Sequence, residues 1–272
     1  KEQTQKWHCW VSNQGGHKLY QLFKKLKATR EQFDELTNLV GGFKSLSSNN
    51  EKVKENFIRL PKEFKPLWSN GGSIIGKHSR VYLNNRNVFN GDIIRYGMGY
   101  CEEGVYANRV IVPSYNSDGE LNYFVGRDIY NGGFKYKNPP VSKDVIGFDL
   151  FINWNEPIIL CEGVFDAIAI KRNAIPLFGK TIPKSLKKKI YEKKVKEIYI
   201  LLDRDAISDA IKITDDLMKN GINVYFVNLS EEDPSDMGFK RVINLIKKTK
   251  QTSFSDLMRM RLNGKERKYL EI

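Results

Sequence analysis

Two short apolar runs, each ending in carboxylates, constrain this chain more than any other feature. Pro157 to Cys161 stops at Glu162-Gly163, and Ile198 to Leu202 stops at Asp203-Arg204-Asp205. A continuous apolar run of this length is the pattern of a strand buried on both faces, as in a parallel sheet covered by helices. The carboxyl ends of parallel strands share one edge, where open α/β sheets hold their ligands. Glu162, Asp203 and Asp205 are therefore expected to converge in one crevice. Three acids at one spot repel one another unless a divalent cation neutralises them. Oxygen donors with no His or Cys beside them favour Mg2+ or Mn2+ over zinc. Either cluster alone reads as a cap on the helix that follows; both together, on parallel strands, read as a metal site.

The surrounding pattern supports that sheet. After Asp149, strands are expected near 157–161, 175–178, 197–202 and 223–227, with helices near 164–172, 183–194 and 206–219. The last helix puts Ile207, Ala210, Ile211, Thr214, Leu217 and Met218 on one face and stops at Gly221. Such alternation predicts an α/β fold with a Rossmann-like parallel sheet and right-handed crossovers. Upstream, residues 57–150 mix signals: helices over 77–86 and from Phe89 to Gly97, then a hairpin of Arg109–Asn116 with Leu121–Tyr130 across Ser117-Asp118-Gly119. Residues 41–52, rich in Gly, Ser and Asn, read as a flexible connection. Before them come an aromatic strand-like run, a turn at Gly15-Gly16, a helix with Leu19, Leu22, Phe23 and Leu26 on one face, and a second helix over Arg30–Val40. The expected organisation is thus a small unit over 1–42, an α+β basic subdomain over 57–150, the parallel sheet over 151–238, and a basic helical tail over 239–272.

A net charge of +13 and a pI near 9.4 point to a polyanionic partner, nucleic acid by default. The longest apolar runs are strand-sized, which argues against a membrane. Cys9, Cys101 and Cys161 are far apart and odd in number, which argues against a disulfide framework and for a reducing cytosol; the expected location is the cytoplasm. The chain opens KEQTQKWHCW, with no secretory signal, and its missing initiator Met suggests a segment of something longer. Seven lysines from Lys184 to Lys196 lie on and after one helix, most simply a solvated face, with a contact to a nucleic-acid backbone as the other reading. Phe178-Gly179-Lys180-Thr181 imitates the end of a P-loop, but Ala174 stands where that motif needs its first Gly, so no helicase motor is expected here.

Glu162-Gly163-Val164-Phe165-Asp166 after one strand, and Asp203-Arg204-Asp205 after a later one, resemble the Toprim domain of bacterial-type primases, topoisomerases, recombination-repair proteins and some nucleases. Glu232-Asp233-Pro234-Ser235-Asp236 resembles the acidic Asp-Pro stretch that primases place after the next strand; it makes Asp233 a further metal-site residue, although by itself it reads equally as a polar turn. Upstream, Tyr82-Leu83-Asn84-Asn85-Arg86, Ile94 to Tyr100, Asn108 to Pro113, Phe124 to Arg127 and Lys135 to Pro139 look like successive blocks of the primase polymerase core, in order. The resemblance to bacterial or phage-type DNA primases covers the chain to about residue 240.

The resemblance implies template-directed synthesis of short RNA primers on single-stranded DNA from ribonucleoside triphosphates, with a separate replicative helicase as partner. In it Asp203 and Asp205 hold Mg2+ or Mn2+, and Glu162 is either a second ligand or an acid–base group. Arg109, Arg127 and Lys135, with Tyr136 and Asn138, belong to the basic cleft for template and nucleotide. The first residues look like the second half of the zinc ribbon found at the front of primases, but where a second cysteine belongs after Cys9 stands Ser12. A closed site needs four ligands, so zinc is not expected here and Cys9 is a candidate ligand only in a longer chain. The eroded ribbon, with no visible helicase-docking domain, suggests a phage-type enzyme, working in the host cytoplasm. Two rival readings remain: a Toprim nuclease or topoisomerase-like enzyme, and a non-catalytic single-strand-binding module, which would suit the 12% aromatic content.

Overall fold

The computed structural model describes residues 7–9, 14–16, 22–23, 25–39, 58–69, 72–130, 132–203, 206–229 and 233–270. Leu19, the connection over 41–52, Asp205 and Glu232 lie outside the described residues. The chain divides into two compact units, Lys1–Phe57 and Ile58–Ile272.

In the first unit, β1 (Trp7–Cys9) pairs antiparallel with β2 (Gln14–Gly16). Gly15 and Gly16 therefore sit in a strand of a hairpin rather than at the expected turn into a helix. Helix α1 (Arg30–Leu39) starts at a capping box: Thr29 Oγ1 accepts from the Gln32 amide, and Gln32 Oε1 accepts from the Thr29 amide.

The second unit is a mixed α/β body with one antiparallel and one parallel sheet. The antiparallel sheet runs in spatial order β3 (Phe64–Pro66), β4 (Gly99–Cys101), β5 (Arg109–Tyr115), β6 (Leu121–Asp128), β7 (Tyr136–Lys137). Between β3 and β4 come helices α2 (Ile74–Asn84) and α3 (Asn90–Arg95), the second followed by Gly97 at φ +59°, where the pattern predicts its stop. The β5–β6 turn is built by Asn116, whose Oδ1 accepts from the amides of Asp118 and Glu120 while Gly119 takes φ +81°. Gly126 on β6 lets β7 approach: a Cβ there would stand 2.6 Å from the Lys137 carbonyl oxygen.

The parallel sheet comprises β8 (Ile158–Cys161), β9 (Ala174–Pro176), β10 (Glu197–Leu201) and β11 (Asn223–Phe226), linked by α4 (Val164–Ile170), α5 (Lys184–Glu192) and α6 (Ile207–Lys219). Its order is β11-β10-β8-β9, so the chain leaves β8 on one side for β9 and returns on the other for β10. The β8–β10 border is thus the topological switch point.

Two-faced burial is visible residue by residue. Ile158 and Leu160 of β8, with Ile198 and Ile200 of β10, enter one core beside Leu186, Ile190, Ala210 and Leu217. Ile159, Cys161 and Leu201 enter the other, which continues through Val164, Phe165 and Ile168 of α4 into Val110, Val112, Tyr123 and Val125 of the antiparallel sheet. That second core joins the two sheets into one body, because neither sheet could bury its inner face alone.

Helix α7 (Pro234–Lys248) begins at Asp233, breaks at Gly238 (φ +73°, ψ +165°), and buries Val242 and Ile246 in the core that also holds α4. Residues beyond 238 are therefore partly core rather than a tail. After α7, Thr252 covers the outer edge of β11: its amide donates to the Val224 carbonyl, and its Oγ1 accepts from the Phe226 amide. Helix α8 (Phe254–Leu270) follows, with Arg261 2.8 Å from Asp215 of α6. Of the lysine-rich α5, Lys187 pairs with Asp216, Lys188 with Glu192 and Lys189 with the buried Asp149, which suits a solvated structural face. Among the described residues no helix is long and apolar enough to cross a membrane.

Candidate active site at the switch point of the parallel sheet

Because β8 and β10 run side by side and end together, Glu162 and Asp203 emerge at one edge. A cavity of about 380 Å3 opens there. Its acidic wall is Glu162, Asp166, Asp203 and Asp233; its basic wall is Arg86, Lys135 and Lys143, with Tyr136 and Asn138 beside them. The acids come from the strand ends and from the start of α7, and the cations come mainly from the antiparallel half. The shared core holds the two walls face to face.

Asp166 is the most informative of these groups. Three residues after Gly163, its carboxylate accepts from the Gly163 amide at 3.2 Å, as a residue in the first turn of a helix does. It also accepts from the Ser235 amide at 3.4 Å. Its pKa is nevertheless pushed up to about 7, first by burial and then by the negative charges of Asp203 and Asp233. Capping alone does not require two further acids within electrostatic reach. Cys161, just inside the strand, is raised well above the thiol range chiefly by burial, and stays an inert core residue.

On the basic side, Lys135 and Tyr136 are carried by the backbone that β6 pairs with: Tyr136 stands opposite Arg127. Arg127 is 4% exposed, its guanidinium 4.8 Å from the Tyr136 ring and 5.7 Å from that of Tyr82, and its Nε and Nη1 have no hydrogen-bond partner. A buried cation cushioned on aromatic faces keeps its field for whatever enters beside it. Arg86 lies over Tyr82 and Phe165 and donates to Ser235 Oγ at 3.3 Å. Next to it Asn87, at φ +59°, donates to the Ser235 carbonyl at 3.1 Å and packs on Gly238. This clasp holds the start of α7, and so Asp233 and the Ser235 amide, against the antiparallel half.

Of the residues expected from sequence, Glu162, Asp203, Asp233, Lys135, Tyr136 and Asn138 line this single cavity, and Arg127 backs Tyr136. Arg109 does not line it: it donates to the Phe134 carbonyl at 2.9 Å and lies 3.8 Å from Asp128, so it braces the loop before β7. Asp205 lies outside the described residues; Cys9 lies on β1 of the first unit. Asp166, Arg86 and Lys143 were not foreseen as site residues. The first two stand inside the blocks Glu162–Asp166 and Tyr82–Arg86, where their spacing from the strand and helix ends was the available signal.

Among the described residues, no three of His, Cys, Asp and Glu are grouped closely enough to hold a metal ion by themselves. The donor set still suits a hard cation. Its members are carboxylates, one of them destabilised in its charged form by burial and then by its acidic neighbours, and Mg2+ is commonly held by one or two carboxylates plus substrate phosphates rather than by an all-protein cage.

No protein-family model matches the chain. Among solved structures, a DnaG primase catalytic domain bound to single-stranded DNA superposes with a TM-score of 0.59, 16% identity, and coverage of 71% of this chain and 76% of that one. The fold is that of bacterial primase catalytic cores. The Escherichia coli primase catalytic core matches this primase fold with a TM-score of 0.56, 15% identity, and coverage of 71% and 78%. The zinc-binding and RNA polymerase domains of Aquifex aeolicus primase match it with a TM-score of 0.58, 17% identity, and coverage of 92% and 74%. By sequence, the chain is 32% identical over 142 residues to the uncharacterized protein MG010 of Mycoplasma genitalium, covering 47% of this chain and 64% of that protein's length.

Proposed function

We propose that this chain is a DNA primase that joins ribonucleotides on a single-stranded DNA template. The observation that carries the reading is one cavity, at the switch point of a primase-like fold, with four carboxylates on one wall and three cations on the other. An acidic wall alone would suit a cation, and a basic wall alone would suit phosphate. Facing each other, they suit a phosphate that arrives with its cation.

In this reading carboxylates from among Glu162, Asp203 and Asp233 would hold Mg2+ or Mn2+ together with the substrate's phosphates, with Asp205 two residues after Asp203 in sequence. The cation, when bound, polarises phosphoryl oxygens and lowers the pKa of the attacking hydroxyl. Arg86 and Lys143 neutralise the triphosphate and hold its α-phosphorus toward the 3′-hydroxyl of the preceding nucleotide, while Lys135 meets a phosphate of the template strand. Bond formation from that oxygen expels pyrophosphate. Tyr136, supported from behind by Arg127, and Asn138 orient the template side.

The test is an incubation of the chain with single-stranded DNA, labelled ribonucleotides and Mg2+ or Mn2+. Short labelled RNA is expected, and Asp203→Asn should lower its formation by at least a hundredfold while leaving the circular dichroism spectrum unchanged. Shortened DNA in place of RNA would identify a nuclease. Synthesis undiminished by Asp203→Asn would remove the acidic wall from the mechanism.

A further inference from the structure

The loop before β7 displays a side chain that the fold does not use. Phe134 is 86% exposed, more than any other large hydrophobic side chain described, and belongs to none of the buried clusters. Its backbone is tied down. The buried Arg109 donates to the Phe134 carbonyl at 2.9 Å, and the Asp128 amide donates to the Lys135 carbonyl at 3.2 Å. An aromatic ring kept in water on a pinned backbone costs solvation free energy and gains no packing in return. Two residues on, and so at most about 7 Å away along the backbone, Tyr136 lines the cavity with 44% of its surface exposed. Lys135, which lines the same cavity, is exposed, holds its ammonium 5.9 Å from that ring, and among the described residues pairs with no carboxylate; Lys137 lies instead over Tyr106, at 6.0 Å.

We infer that Phe134 is a base-stacking platform at the mouth of the cavity, taking an unpaired nucleobase of a single strand whose phosphate meets Lys135. This rests on the reading above, in which the cavity receives a nucleic-acid strand. The flanking charge decides the class of occupant. An apolar protein surface seated on Phe134 would bury the Lys135 ammonium with no carboxylate to meet it, whereas a single strand brings a flat apolar face and a phosphate to the same place. Duplex bases are already stacked and offer no free face.

The experiment is fluorescence anisotropy of the full chain with labelled oligo-dT, with an abasic strand of equal length, and with a duplex. Phe134→Ala should weaken oligo-dT binding about tenfold, as removal of one base–aromatic stack does. Phe134→Leu should be as weak, Phe134→Trp should restore wild-type affinity, and all four proteins should bind the abasic strand and the duplex alike. Rescue by Leu, or an equal loss on the abasic strand, would overturn stacking. Self-association of the wild type that Phe134→Ala abolishes, measured by sedimentation, would also overturn it in favour of a second copy. If the wild type binds oligo-dT and Phe134→Ala binds it equally well, the platform alone fails. If the wild type does not bind single strands at all, the primase reading fails with it.

Discussion

At the scale of single residues, Asp166 carries a consequence for stability. Its carboxyl titrates near pH 7 in the folded chain against an ordinary value of 3.8, because burial and the charges of Asp203 and Asp233 disfavour its ionised form. The folded state therefore holds a proton that the unfolded state releases. Stability from this group is greatest below about pH 4, falls as the pH rises to about 7, and is level above that; the loss is on the order of a few kcal/mol. Urea unfolding in chelator at pH 4, 6 and 8 should show the decline, and Asp166→Asn should remove it and be the more stable protein at pH 8. Added Mn2+ should flatten the wild-type decline by offsetting the repulsion. A decline of equal size in Asp166→Asn would assign it to other groups. The shift was not legible in the sequence, because its causes are tertiary: burial first, then the approach of Asp203 and of Asp233, 37 and 67 positions away.

At the scale of elements, the strands were the most legible part and the junctions between elements the least. Alternating burial in β8 and β10 follows from continuous apolar runs, and the stop of α6 follows from Gly221. The Arg86-Asn87 clasp on Ser235 joins a helix end in one half to a helix start in the other, and no local pattern announces it. Asn87 occupies a left-handed backbone position that asparagine tolerates and glycine accepts freely. Asn87→Gly should therefore cost only the hydrogen bond to the Ser235 carbonyl, about 1 kcal/mol. Asn87→Ala should cost about 1 kcal/mol more, since alanine is strained there. Chemical denaturation of both variants measures the difference; equal costs would mean the backbone position carries no strain. The Gly15-Gly16 pair shows the converse. Glycine predicts a turn, yet pairing with Trp7 and His8 placed it in a strand.

At the scale of the whole molecule, the charge of +13 is spread through a fold whose switch-point cavity carries four carboxylates against three cations. Composition alone points to a polyanion but is silent on where it lies. If the strand runs past Lys135, removing that charge should weaken single-strand binding at low salt and reduce the slope of log affinity against log salt by about 0.7, the value for one phosphate contact on a single strand. A slope unchanged in Lys135→Ala would place the strand elsewhere. The lysines of α5 are a contrasting case: they dominate the sequence visually, yet three of them are matched to carboxylates, two at the surface and one to the buried Asp149.

The parallel strands and the two carboxylates at their ends can be read from the order of amino acids, because burial on both faces leaves a local, continuous apolar signature and a strand end is a local event. Which acids meet which cations is an outcome of packing. That outcome depends on the strand order β11-β10-β8-β9 and on a core shared by two sheets, and it brings Arg86, Lys135, Asp166 and Asp233 to one cavity from distant positions. Packing also decided that Arg109 braces a loop while Phe134 stands in water, since both follow from a hydrogen bond between a side chain and a carbonyl 25 residues later in the chain.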